Sequence, residues 1–173
     1  MTQTAIRAIM PEPLTADAFK PFGDVIEASA DAVQLAINYG NTNRFHDLAG
    51  IDVTAQGGRV GVSIFRSTPL SQPVTIKLME YHPLSSQAFI PLSERPYLVV
   101  VAPAGDFDAM AIRAFMVRGD QGVNYHAGTW HHFSLALENV SDFLVIDRIA
   151  DEDVNANCVE HELSAAEQLT ITL

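Results

Sequence analysis

From Val60 onward the chain reads as a series of short strands. Val60 to Arg66 and Val74 to His82 alternate between apolar and polar positions, and Tyr97 to Ala102 is a continuous apolar run. Ile112 to Val117, Trp130 to Leu137 and Phe143 to Ile149 follow. Turn-forming residues separate them: Pro69, Pro73, Pro83, Pro103 to Asp106, Gly119-Asp120 and Ser141-Asp142. Short strands with turn signals between them predict an all-β sandwich or barrel. Before Val60 the pattern predicts one short helix, capped by Thr15, running from Ala16 to Lys20 and stopped by Pro21 and Gly23. The polar segment Asn38 to Asp47 reads as a loop. Near the end, Ser164-Ala165-Ala166-Glu167 has the spacing of a capped turn.

Alternation also assigns faces, because successive side chains of a strand point to opposite sides. Val74, Ile76, Leu78, Glu80 and His82 share one face, so an apolar stripe ends in a carboxylate and an imidazole. His131 shares a face with Phe133, Leu135 and Leu137, which predicts His131 inward and His132 outward unless the strand bulges. Val60, Val62, Ile64 and Arg66 form a third apolar face, and Arg66 at its end requires an acidic partner or an anionic ligand. A buried charge costs several kcal/mol unless it is paired or metal-bound. The coincidence of Glu80, His82, His131 and Arg66 on inward faces therefore predicts a site inside the barrel.

Composition narrows what such a site binds. The chain has 173 residues, 48% hydrophobic and 18% charged, with no internal repeat or linker, which predicts a single domain over 1–173. Its 21 acidic and 10 basic residues give a net charge of −11, a surface that repels nucleic acid and anionic membranes. An anionic small molecule would need positive charge supplied locally. One cysteine, Cys158, excludes an internal disulfide and reads as a bystander thiol, and with no export signal near the start the chain reads as cytoplasmic. No apolar run approaches the length of a membrane span. No phosphate-binding glycine loop, dinucleotide fingerprint or nucleophile elbow is present.

Two stretches are similar to the paired motifs of cupins. Glu80-Tyr81-His82, four residues and Gln87 stand where a cupin carries two histidines and a glutamate, and His126-Ala127-Gly128-Thr129-Trp130-His131 stands at the second motif. Glu80, His82, Gln87 and His131 thus occupy the metal positions, with Glu80 replacing a histidine and Gln87 a glutamate. Longer strings are more specific. Arg44 to Leu48, His82 to Pro91, Gly122 to His126 running into Trp130-His131-His132, and Asp142 to Arg148 resemble, in order and spacing, the ureidoglycolate lyase family.

That resemblance implies a cupin-like antiparallel β-barrel, the double-stranded β-helix, with few short helices. It implies elimination of urea from ureidoglycolate to give glyoxylate, in allantoin and purine nitrogen breakdown. Glu80, His82, His126, His131 and His132 are then the candidates for proton transfer, and Arg66, Gln87, Tyr125 and Trp130 for holding the substrate. Arg66 suits the carboxylate because its fork matches one bidentately. The resemblance further implies a homodimer. The apolar run Leu98 to Val101 agrees with that, as a strand apolar on both faces needs cover on both. A divalent metal such as nickel or manganese is expected to bind weakly at Glu80, His82, Gln87 and His131, because a neutral carboxamide weakens a cation site. Two other readings share the barrel: a cupin enzyme on another small acid or sugar, and a non-catalytic glyoxylate-binding barrel.

Overall fold

The computed structural model describes residues 6–151 and 157–173. The regular structure of the described chain is almost entirely strand. In order these are β1 (Arg7–Ile9), β2 (Glu12–Pro13), β3 (Gly23–Ile26), β4 (Val33–Ile37), β5 (Thr42–His46), β6 (Arg59–Ser67), β7 (Val74–Ile76), β8 (Leu78–Tyr81), β9 (Gln87–Pro91), β10 (Tyr97–Ala102), β11 (Arg113–Val117), β12 (Gly122–Tyr125), β13 (Trp130–His131), β14 (Leu135–Ala136), β15 (Ser141–Ile149), β16 (Val159–Glu162) and β17 (Leu169–Ile171). One helical turn, α1 (Ala16–Phe19), lies between β2 and β3, and the Thr15 side chain caps it by accepting from the Ala18 N–H. At the other end Ser164 Oγ donates to Glu167 Oε2 at 2.7 Å, the capped turn expected there.

Two sheets build the barrel. One runs β16-β8-β13-β10-β11-β2, with β14 beside β10, and the other runs β3-β12-β9-β15-β6. A three-stranded sheet, β1-β17-β7, joins the two ends of the described chain, with β1 and β17 parallel. The arrangement is all-β and cupin-like, as expected, and among the described residues no helix is long and apolar enough to cross a membrane.

β10 explains where the core sits. Every residue of Tyr97–Ala102 is buried, and its two faces serve different clusters. Tyr97, Val99 and Val101 pack with Phe19, Phe22, Phe89, Phe115, Tyr125 and Phe143 in a first, aromatic core. Leu98, Val100 and Ala102 pack with Ile76, Met79, Trp130, Leu135 and Leu169 in a second. Both sides of this apolar run are covered within one protomer, so it does not mark a subunit surface.

Three local expectations change. Residues 38–47 are not an open loop: β4 and β5 pair in register from Val33↔His46 to Ile37↔Thr42, and the chain reverses through Asn38, Tyr39 and Gly40, all at positive φ. The stretch from Val74 to His82 is two strands broken at Lys77, so Val74 and Ile76 lie in the second core with Met79, while Glu80 turns to the opposite side. The face of β6 is inverted. Val60, Val62 and Ile64 point outward and are exposed, whereas Gly61 is buried inward opposite Asp147. A small residue is needed there, because a Cβ on Gly61 would lie 2.2 Å from the Ile149 side chain.

Candidate active site

β8 and β13 pair so that Glu80 is directly opposite His131. Residues opposed in this way share a face, and Tyr125 from β12 covers the His131 ring by stacking at 4.3 Å and 11°. His82, just past β8, brings its ring centroid to 5.2 Å from that of His131. Gln87 opens β9 opposite Tyr125, and Asp147 approaches from β15. Six side chains from five strands and one strand end therefore converge inside the barrel mouth.

Their hydrogen bonds divide the group in two. In the first half, His131 Nδ1 donates to the Thr129 carbonyl at 2.9 Å, which leaves the lone pair on Nε2. That atom is buried without a hydrogen-bond partner, 3.6 Å from Glu80 Oε1. Burial, and then the neighbouring His82, hold His131 down at about 3, so the contact with Glu80 is not an ion pair. The Glu80 carboxyl is itself raised above its ordinary range, chiefly by burial and further by Glu160, with His82 opposing. A lone pair aimed at a carboxyl with raised proton affinity is a proton-sharing arrangement.

In the second half, Gln87 is wedged between His82 and Asp147. Its Nε2 donates to Asp147 Oδ2 at 3.4 Å, which turns its carbonyl oxygen to His82 Nε2 at 3.2 Å. His82 Nδ1 meets the Asn157 carbonyl at 2.6 Å. Both ring nitrogens thus face carbonyl oxygens, and both contacts are hydrogen bonds only if both nitrogens donate. Burial raises the Asp147 carboxyl, against the influence of Gln87 and His82.

Several expected residues lie elsewhere. Arg66 is exposed and forms a bidentate pair with Asp142, both contacts at 2.8 Å, on the outer face of the sheet. Asp142 is five residues along β15 from Asp147, about 17 Å at the rise of a strand. Arg66 thus stands apart from this centre, and the inversion of β6 puts Arg59, exposed at the first position of the strand, on the same face as the buried Gly61. His126 follows the inward Tyr125 and so turns outward, half-exposed, to Asp24 Oδ1 at 3.0 Å. His132 is buried on the side away from His131, facing a cleft lined by Leu70, Pro73, Thr75 and Leu78, with burial lowering it to about 4. Trp130 is a core residue: its Nε1 donates to the Gly105 carbonyl, and its ring packs edge-on against Tyr81 and Phe107. Adjacency within the second motif misled here, since neighbours on a strand face opposite ways.

Two members of the centre were missed. Asp147 carried a legible signal, because Phe143, Val145 and Asp147 form an apolar face ending in a carboxylate, the same pattern that marked Glu80. Cys158 carried none. It is not a bystander: its Sγ lies 3.8 Å from Glu80 Oε2, and burial followed by Glu80 and Glu160 pushes the thiol up to about 11.

As a metal centre the donor set fits only in part. Ligand atoms of Glu80, His82 and His131 lie within 4.8 Å of one another. Glu80 and the His131 Nε2 lone pair are open to a cation. His82 must first break a hydrogen bond, and Gln87 points its oxygen at His82. A second group, Glu80, Cys158 and Glu160, has the same spacing.

Two predictions arise from this geometry. Arg66→Gln is expected to leave KM within about twofold of the parent, because the lost pair is exposed and remote; steady-state kinetics checks it, and a large rise in KM restores Arg66 to the site. His131 and His132 are held neutral in the fold at about 3 and about 4, against an ordinary 6.5. Below pH 6.5 the unfolded chain takes up protons that the folded chain refuses. Their contribution is complete above that pH and is lost as pH falls, with a slope of up to about 1.4 kcal/mol per pH unit for each group. The raised carboxyls of Glu80 and Asp147 act in the opposite sense at lower pH. Urea midpoints between pH 7 and 5 should therefore decline, and a flat profile contradicts the burial of these rings as neutral groups.

Comparison with known proteins places the chain among relatives of one kind. A family model described as ureidoglycolate lyase matches residues 6–171. Ureidoglycolate lyase of Burkholderia mallei (strain NCTC 10229) is 59% identical over 140 residues, 81% of this chain and 82% of that protein. That of Burkholderia cepacia is 55% identical over 156 residues, 90% and 86% of the two chains. That of Pseudomonas putida (strain W619) is 46% identical over 167 residues, 96% and 98%.

Proposed function

This chain belongs to the ureidoglycolate lyase family, and from that premise we propose how its own residues carry the elimination of urea from ureidoglycolate. The substrate is a carbinolamine bearing a carboxylate. Its hydroxyl proton must be removed as the C–N bond breaks, and the departing nitrogen must gain a proton. The electron pair of the O–H bond forms the aldehyde C=O of glyoxylate, while the C–N pair leaves with urea. Proton removal belongs to the Glu80–His131 pair, where a buried nitrogen without a hydrogen-bond partner stands 3.6 Å from the carboxyl. That orphaned nitrogen is the observation that carries the assignment. Proton delivery belongs to His82, held between the Asn157 carbonyl and the Gln87–Asp147 arm. One proton enters the base as one leaves the acid, and exchange between them through the mouth resets the site. Tyr125, stacked on His131, fixes the base ring in place. The substrate carboxylate is assigned to Arg59, the exposed arginine that starts β6 on the face of Gly61.

A divalent ion such as nickel or manganese would be held by Glu80 and His131, with His82 joining only after leaving Gln87; bound there, it would lower the pKa of the substrate hydroxyl. The expected result is weak, substoichiometric metal and partial activity after chelation. Elemental analysis of protein purified without added metal checks the first, and a full tightly held equivalent would mean that His82 is a resident ligand. The decisive assay for the whole reading supplies racemic ureidoglycolate, before and after chelation, and scores urea and glyoxylate. Release of both in equal amounts supports it. Binding of glyoxylate without turnover would favour a binding barrel instead. The single reduced cysteine fits a cytoplasmic setting.

A further inference from the structure

β16 reaches the centre from its N-terminal end. It pairs antiparallel with β8, Val159 opposite Tyr81 and Glu160 opposite Glu80. The same register carries Cys158 and Asn157 past the end of β8, beside His82 and Pro83. Alternation puts Cys158 on the face of Glu80, diagonal to it. The segment from His82 to Gln87 joins β8 to β9 and brings both of those side chains to the site. Other parts of the chain hold it. The His82 carbonyl accepts from the Gly128 N–H, and the Ser86 N–H donates to the Asp52 carbonyl. Asn157 holds the middle: its Oδ1 accepts from the Leu84 N–H at 2.8 Å, and its Nδ2 donates to Ser85 Oγ at 2.8 Å. With its side chain pinned at two points, Asn157 presents its own main-chain carbonyl to His82 Nδ1 at 2.6 Å. The next residue reaches the other group. Cys158 Sγ donates to Glu80 Oε2 at 3.8 Å, which leaves Oε1 facing His131 Nε2 at 3.6 Å.

We propose that Asn157 and Cys158 are positioning residues for the elimination: Asn157 commits His82 Nδ1 to its carbonyl, and Cys158 fixes which oxygen of Glu80 faces His131. This rests on the base and acid assigned above and adds how each is aimed. A neutral imidazole carries its proton on either nitrogen, and the hydrogen bond made by one decides the state of the other. With Nδ1 held as the donor to Asn157, the proton that His82 delivers is the one on Nε2. A ring freed from that carbonyl carries its proton on Nδ1 or Nε2 and turns between them. The carboxyl of Glu80 has the matching ambiguity, because rotation about its last bond is broad and two-fold. One donor on Oε2 breaks that symmetry. A thiol is a weak donor, so it biases the rotation without closing Glu80 to the substrate proton. Two adjacent residues thus set the base and the acid relative to each other, although neither exchanges a proton with the substrate.

Asn157→Ala should lower kcat on the order of a hundredfold and leave KM within about twofold, because the substrate still binds and only the acid is misplaced. Asn157→Asp should recover most of the loss. One of its oxygens still accepts from the Leu84 N–H, and the other accepts from the Ser85 hydroxyl. Cys158→Ala should lower kcat about tenfold, and Cys158→Ser, whose hydroxyl also donates, should restore it. Long-range proton–nitrogen NMR spectra of the imidazoles read the His82 tautomer without substrate. They should show Nδ1–H in the parent and in Asn157→Asp, and a mixture of tautomers in Asn157→Ala. A His82→Ala variant with the parent kcat would overturn the acid assignment itself. An impaired His82→Ala beside an Asn157→Ala with the parent kcat and tautomer would overturn the positioning role alone. Aspartate and serine variants that fail as badly as the alanine ones would show both residues to be structural, and would overturn it too.

Discussion

Glu80→Gln is expected to lower kcat by about three orders of magnitude while moving KM little, the signature of a proton-transfer group lost from the transition state. The amide keeps the size of the carboxylate and its place opposite His131, but it cannot take a proton. His131→Asn should cost a similar factor. Asparagine can still donate to the Thr129 carbonyl, as Nδ1 does now, and lacks only the lone pair facing Glu80. If the two groups act as one base, the double variant will be little worse than either single one. Fully additive losses would mean that they serve different steps, and a loss below about tenfold in both would move the base elsewhere.

Phe115→Ala is expected to be the most damaging of the simple core truncations, at about 3–5 kcal/mol. Phe115 is fully buried on β11, with the rings of Phe19 and Phe22 edge-on to it at 5.5 and 6.1 Å and the Arg113 guanidinium above it at 4.9 Å. The surrounding backbone is fixed by strand pairing with β10, so the vacated space cannot collapse. A drop of about 10 °C in Tm corresponds to that loss in a chain of this length. A shift of only a degree or two would show that the first core repacks freely.

The β-rich fold was legible because strand-forming runs and turn residues recur along most of the chain; Glu80, His82 and His131 were legible because charged groups in apolar strands are expensive, and Gln87 only through its place in the cupin-like motif. What alternation could not say was which side of the barrel a face lies on. On β6 the aliphatic residues face outward and Gly61 and Ser63 face inward, because Asp147 and Ile149 fill the space across from them. Arg66 followed the stripe to the wrong side. At Lys77 a strand break reversed the phase, so Glu80 reached the inner face although Val74 and Ile76 do not share it. Cys158 was beyond any local rule, since its contact with Glu80 spans 78 residues of chain.

β10 has a consequence for how this sequence can drift. Val99 and Val100 are neighbours in the chain, yet each answers to a different set of partners. Truncations at the two positions should therefore sum, as for residues that share no contact. The aromatic half, which holds Tyr125 against His131, is tied to the chemistry. The other half meets the chemistry only through the strands that Met79 and Trp130 share with Glu80 and His131, so changes there reach the reaction through backbone position alone.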